Sequence, residues 1–143
     1  MAAAPKFAVE VVTAPLRDSK EIEAAMAQWG REPNVGLIVV PDPATNAHRK
    51  LINELATRYR LPVIHALRAA AAEGGLMSYG VDLPNVFRQA AVYADRILKG
   101  ANPADLPISL PTKFELVINL TTAKALNIDV PLSLMLRADE ILD

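Results

Sequence analysis

Apolar residues in this chain alternate between short unbroken runs and longer stretches at helical spacing, and that alternation predicts most of its elements. "KFAVEVVTA" (residues 6–14) carries enough Val and Phe to read as a strand, which Pro15 stops. In "RDSKEIEAAMAQWG" the positions Ile22, Met26 and Trp29 recur on one helical face, with Ser19 as N-cap and Gly30 as C-cap. Trp29 reads as a core or interface residue. "NVGLIVV" (34–40) is a continuous apolar run, which predicts a strand covered on both faces. Asp42 can cap the helix that follows, with Pro43 at its first position, where the missing N–H costs nothing. From Ala47, Leu51, Leu55 and Tyr59 repeat every four residues, while Arg49, Lys50, Glu54 and Arg58 fall on the side facing water.

"RLPVIHA" (60–66) reads as a third strand, "LRAAAAEGG" as a short helix, and "LMSYGVD" (76–82) as a fourth strand. Pro84 then opens a helix whose stripe is Phe87, Ala90, Ala94 and Ile97, closed by Gly100. Repeated strand–helix units of this length predict a three-layer αβα, Rossmann-like α/β fold with a parallel sheet. After Gly100 the prolines at 103, 107 and 111 are too frequent for a helix or a central strand, so the segment reads as an extended crossover. "FELVINL" (114–120) is a further strand, and Asn119 or Thr121 can cap the short helix after it. "DVPLSLMLRADEILD" reads as a loop and a last helical piece.

Composition narrows the function classes. The 143 residues suit one domain, with 52% hydrophobic and 22% charged residues, an ordinary globular balance. Fifteen basic against sixteen acidic residues leave a net charge of -1, so there is no net drive toward nucleic acid or an anionic membrane. The absence of cysteine removes disulfides, Cys-ligated metals and cysteine nucleophiles. The start "MAAAPKF" shows no signal-peptide pattern, and no apolar run approaches the ~20 residues of a membrane helix.

No catalytic constellation emerges. His48 falls in a first helical turn and His65 at the end of a strand, neither with a partner at metal-ligand spacing; both read first as solvent-facing or satisfied polar residues. Asp18, Asp42, Glu73, Asp82, Asp105 and Asp139 are scattered, and Ser78 lacks a nucleophile elbow. "EGGLMSYG" lacks the features of a nucleotide loop. We therefore expect no enzyme, no metal and no cofactor. What remains is two strand-to-helix junctions. Asp42, Thr45 and Asn46 follow the carboxyl end of a strand, where small polar ligands bind in open α/β sheets. Capping by Asp42 is the plainer reading. In "SYGVD", Tyr79 offers an aromatic face and Asp82 can cap the next helix.

The residues then carry a resemblance. "GGLMSYGVD", "ADRILKGANPADLP", "INLTTAKAL" and the closing "LRADE", with "LIVVPDPATNAHR" earlier, resemble the substrate-binding proteins of ABC importers with the type 1 periplasmic-binding fold. The resemblance covers nearly the whole chain. It implies the C-terminal part of a protein roughly twice this length, in which two α/β lobes close on a ligand. On it, residues 6–78 form the core of an incomplete second lobe that lacks its opening strand and helix. The helix at 84–100 packs on the first lobe, residues 101–112 are a crossover, and 113–143 supply the last strand and helices. The implied function is binding of a small polar solute, an amino acid or a related compound. The ligand-binding positions are Asp42, Thr45, Asn46, Glu73, Tyr79 and Asp82. The implied partner is an ABC permease and the implied location periplasmic or extracellular. A stripe built for an absent lobe also predicts a homodimer or larger assembly. The alternative is a truncated protein that self-associates and binds little or nothing.

Overall fold

The computed structural model describes residues 4–143; the first three residues of "MAAAPKF" lie outside it. Five strands form one sheet in the order β1 (Leu37–Val39), β2 (Val63–His65), β3 (Met77–Val81), β4 (Phe114–Asn119) and β5 (Glu140–Leu142). The helices are α1 (Ser19–Trp29), α2 (Pro43–Ala47), α3 (Arg49–Tyr59), α4 (Arg68–Ala72), α5 (Leu83–Leu98), α6 (Leu120–Ala125) and α7 (Leu132–Met135). The architecture is the three-layer αβα arrangement, with a mostly parallel sheet.

One pairing departs from the all-parallel expectation. β1, β2 and β3 run parallel, β4 lies antiparallel beside β3, and β5 is parallel to β4. The cause is the path between β3 and β4. The chain leaves β3 through α5 and returns through residues 99–113 to the same end, where the backbone N–H of Asp82 donates to the Lys113 carbonyl at 3.1 Å. A chain that returns to the end it left must pair antiparallel.

Register assigns the side chains to faces. Leu37, Val39, Val63, His65, Ser78 and Val117 share one face, and Ile38, Ile64, Met77, Tyr79, Leu116 and Ile118 the other. The first face is covered. Ile22 and Met26 of α1, one turn apart, meet Ile52, Leu55 and Ala56 of α3 over Val63. Each such fully buried side chain contributes about 1.5–3 kcal/mol. The second face is covered near β4, where Ile118 packs with Ala123, Leu126 and Val130. Over β1 it is open: Ile38 is 77% exposed.

Several expectations need correcting. Residues 6–14 are not a strand: after a single 3-10 turn at Ala4–Phe7 the segment is unpaired, and Val9, Val11 and Val12 are exposed. Val-rich sequence favours a strand only where a neighbour supplies the ladder, and here β1 ends the sheet. β1 is covered on one face rather than two. The helix after Asp42 is broken into α2 and α3 at His48. The N-cap of α1 is Asp18, which accepts from the Glu21 N–H at 2.9 Å, and Ser19 is the first helical residue. The C-terminal piece contains β5 as well as a helix, with Glu140 held by both guanidinium arms of Arg68 at 2.5 and 2.6 Å. The stripe of α5 buries none of its residues.

A buried polar link joins the covered face to its helices. Asn53 of α3 donates to the Ala70 carbonyl of α4 at 2.9 Å and meets His65 Nε2 at 2.8 Å. His65 is 4% exposed, and burial pulls its pKa down to about 4 from 6.5, so it is neutral at pH 7. Neutral His65 then donates from Nε2 to the Asn53 amide oxygen, which fixes the tautomer. Between those two values the unfolded chain binds a proton that the folded chain refuses. Stability attributable to His65 is thus complete above about pH 6.5 and is lost as pH falls toward 4.

Two predictions follow from this packing. Lowering the pH from 7 to 4 should reduce unfolding free energy, with His65 contributing up to about 1.4 kcal/mol per pH unit. Urea titrations of the parent and His65→Gln across that range should give a shallower slope for the variant; equal slopes would refute the assignment. Second, a Cβ built on Gly80 would lie 1.9 Å from the Ala66 carbonyl oxygen, which forces the β2–β3 connection apart. Gly80→Ala should cost about 1–3 kcal/mol, read as a lower urea midpoint.

Candidate functional site

The carboxyl ends of β1 and β2 meet the start of α2 and α4, and the polar groups there are built by local sequence. Asp42 Oδ1 accepts from the N–H groups of Ala44 at 2.7 Å and Thr45 at 3.0 Å, and Thr45 Oγ1 reaches back to the Asp42 N–H at 3.2 Å. This capping box, with Pro43 in the first turn, fixes the loop. Thr45 Oγ1 also lies 2.9 Å from the Val40 carbonyl, which ties the loop to the end of β1. The N–H bond from Thr45, ahead of the other contacts, holds the Asp42 carboxyl below the usual range. Among the described residues, Asp42 Oδ2 and the Asn46 side-chain amide make no protein hydrogen bond.

One turn further, Arg49 lies across the loop. Its Nη1 donates to the Asn46 carbonyl at 3.0 Å and its Nη2 to Glu73 Oε1 at 2.8 Å. The hydrogen bond to Glu73 raises the Arg49 pKa, and the same bond lowers that of Glu73. Arg49 was expected to face water; the pairing to Glu73 at the end of α4 draws it over the strand ends instead.

Thr45, Asn46, Arg49 and His65 line a cavity of about 20 Å³, room for about one water. An adjoining open groove of about 290 Å³ is lined by Ile38, Val40, Ile64, His65 and Tyr79. The Tyr79 ring is stacked on Phe114, with centroids 5.9 Å apart and planes at 21°. The wall of the groove is apolar and aromatic, and the polar Thr45, Asn46 and Arg49 line the smaller space beside it.

The structure thus brings Thr45, Asn46 and Tyr79 to these two adjoining spaces. Asp42 stands behind Thr45 as the cap and lines neither. Glu73 reaches the site through Arg49. Asp82 lies at the start of α5, where it accepts from the Asn85 N–H at 3.0 Å and the Lys113 ammonium at 2.8 Å. Sequence reasoning missed Arg49 as a lining residue; for His65 a site role was a geometrical possibility from its place at a strand end, behind the plainer reading of a satisfied polar residue. The available signal for Arg49 was its place three residues after Asn46, at the start of the next helix. Among the described residues, no group of three His, Asp or Glu side chains could hold a metal ion, and no helix is long and apolar enough to cross a membrane.

Known proteins share this fold. The tyrosine-binding protein of Clostridioides difficile is 26% identical over 124 residues, which are 87% of this chain and 36% of that protein. A conserved domain protein of Vibrio cholerae superposes with a TM-score of 0.84 at 25% identity, over 98% of this chain and 47% of that one. An ABC domain in complex with L-Trp from Streptococcus pneumonia gives 0.86 at 24% identity, over 99% of this chain and 48% of that one. The chain therefore spans about half the length of those solved structures and about a third of the curated relative. The model of the family described as ABC transporter substrate binding protein matches residues 1–142, and the chain belongs to that family.

Proposed function

We propose that this chain forms one wall of a solute cleft in an ABC importer's binding protein, and that the solute is an amino acid with a planar aromatic side chain. The observation that carries this reading is the groove floored by Ile38, Ile64 and Tyr79, whose ring stacks on Phe114, beside a smaller space lined by Thr45, Asn46 and Arg49. Aromatic faces at 4.5–7 Å favour a further stacked ring. Thr45 and Asn46 would receive the polar part of the solute, with Asp42 holding their loop as its cap. Glu73 would act by holding Arg49 over the strand ends. Two similar proteins, a tyrosine-binding protein and an ABC domain in complex with L-Trp, support the class.

The second wall would come from the half of the similar structures that has no counterpart here, and the permease and a periplasmic or extracellular location belong to that larger assembly. The chain is then the C-terminal portion of a two-lobed protein. By itself it would bind weakly, because contacts from one wall barely exceed the entropy of association. The second reading, favoured by the exposed Phe87, Val92, Ile97 and Leu98 on α5, is a self-associating fragment with little ligand binding.

Titration with L-tyrosine and L-tryptophan, followed by backbone NMR, should give saturable shifts at Asn46, His65 and Tyr79 with a Kd of about millimolar. Asn46→Ala, at the cavity wall, should abolish them. No saturable shift with any member of an amino-acid panel would overturn the solute reading. For the assembly, light scattering should report twice the single-chain mass or more, with Phe87→Glu plus Ile97→Glu restoring the monomer. A parent that stays monomeric at every concentration would remove self-association.

A further inference from the structure

α5 poses a mechanical question. It is 16 residues long, about 24 Å, and buries none of them. Its direction therefore cannot be fixed by packing on the sheet. Tyr93 Oη donates to the Pro107 carbonyl at 2.6 Å, which ties α5 to the returning segment. That bond makes α5 and residues 99–113 one arm, yet it does not orient the arm. Among the described residues, the arm's hydrogen bonds to the sheet lie where the chain leaves at Asp82 and returns at Lys113.

At that point the two passages are joined twice, and the same Asp82 caps α5. The Asp82 N–H donates to the Lys113 carbonyl at 3.1 Å. The Asp82 carboxylate accepts from the Asn85 N–H at 3.0 Å, capping α5, and from Lys113 Nζ at 2.8 Å. The Asp82 side chain is 8% exposed while that of Lys113 is 61% exposed, so the anion is buried and the cation reaches in from solvent. The Lys113 hydrogen bond, ahead of the Asn85 N–H, holds the Asp82 carboxyl well below the usual range; Arg88 adds to this, and Asp139 supports the charge on Lys113. A buried carboxylate has few alternatives to its cation, which makes the contact directional.

We propose that the Asp82–Lys113 pair is a staple that sets the angle at which the α5 arm leaves the sheet. Asp82 is then a positioning residue for whatever packs on α5. The staple stands on this chain alone; its consequence, that it orients a second lobe over the groove, rests on the two-lobe reading above. Because Val81 pairs with Phe114 immediately beyond the staple, the Tyr79–Phe114 wall stays with the sheet while the arm turns. The turning point is thereby confined to the Asp82–Leu83 and Thr112–Lys113 links.

The chain has no cysteine, so two spin labels can be placed without background. With Arg58→Cys on α3 and Arg96→Cys on α5, both exposed, pulsed dipolar spectroscopy on dilute protein reads the arm's direction. The parent should give one narrow distance distribution. Lys113→Met and Asp82→Asn, the latter keeping the cap, should each broaden it about twofold or more, with the melting temperature near that of the parent. The double variant should be no broader than either single one. A broad parent distribution, or an unchanged one in both variants, would overturn the staple. No solute enters this measurement, so its failure is separate from failure of the binding reading.

Discussion

A mostly parallel sheet is stable only when helices cover both of its faces, because its side chains are apolar on both. This chain meets the requirement on one face, through α1, α3 and α4, and on the other only near β4. Everything unusual in the structure follows from that deficit. Ile38 is exposed, the Val-rich residues 9–12 have no strand to join, and the apolar stripe of α5 faces solvent. The groove beside Tyr79 lies on the same uncovered face, so the property that leaves β1 short of a layer also opens the candidate site. Its family and fold are those of solute-binding proteins rather than enzymes.

The covered face supplies the rigidity that such a site needs. Asn53 reaches from α3 to the Ala70 carbonyl and to His65, and Asn119 at the end of β4 donates to the Ala71 carbonyl at 3.1 Å. Two amides thus hold α4 from both sides. α4 carries Glu73 at its C-terminal end, and Glu73 holds Arg49. The position of the guanidinium over the strand ends is therefore set by the core, three contacts away. A buried network in which nearly every group is satisfied specifies one arrangement, which a solvated loop would not.

Much of this was legible in the sequence, and the failures have physical causes. Strands with continuous apolar runs and helices with caps were readable because those signals are local: Asp42, Pro43 and Asn119 act on neighbours within a turn. The antiparallel β4 was not, since direction depends on where a long excursion returns. Residues 6–14 misled because β propensity describes a residue in a ladder, and no ladder is there. β5 was hidden in three residues whose strand character comes from pairing with Val117 to Asn119. In the site, Thr45 and Asn46 could be named from their place after a strand end, Tyr79 from the strand before the next helix, and His65 as a possibility at its own strand end. Arg49 could not, because it owes its position to a partner distant in sequence, Glu73.

Capping by Asp42 and ligand contact elsewhere on its loop do not compete. A helix start needs one acceptor for its first N–H groups, and Oδ1 supplies it to both Ala44 and Thr45. The same bonds lower the Asp42 pKa and hold the loop that carries Thr45 and Asn46 in one conformation. A group that is already oriented loses little entropy when a solute arrives, which is the advantage of a preorganised group over a mobile one. The cap is therefore the reason the loop could serve a solute.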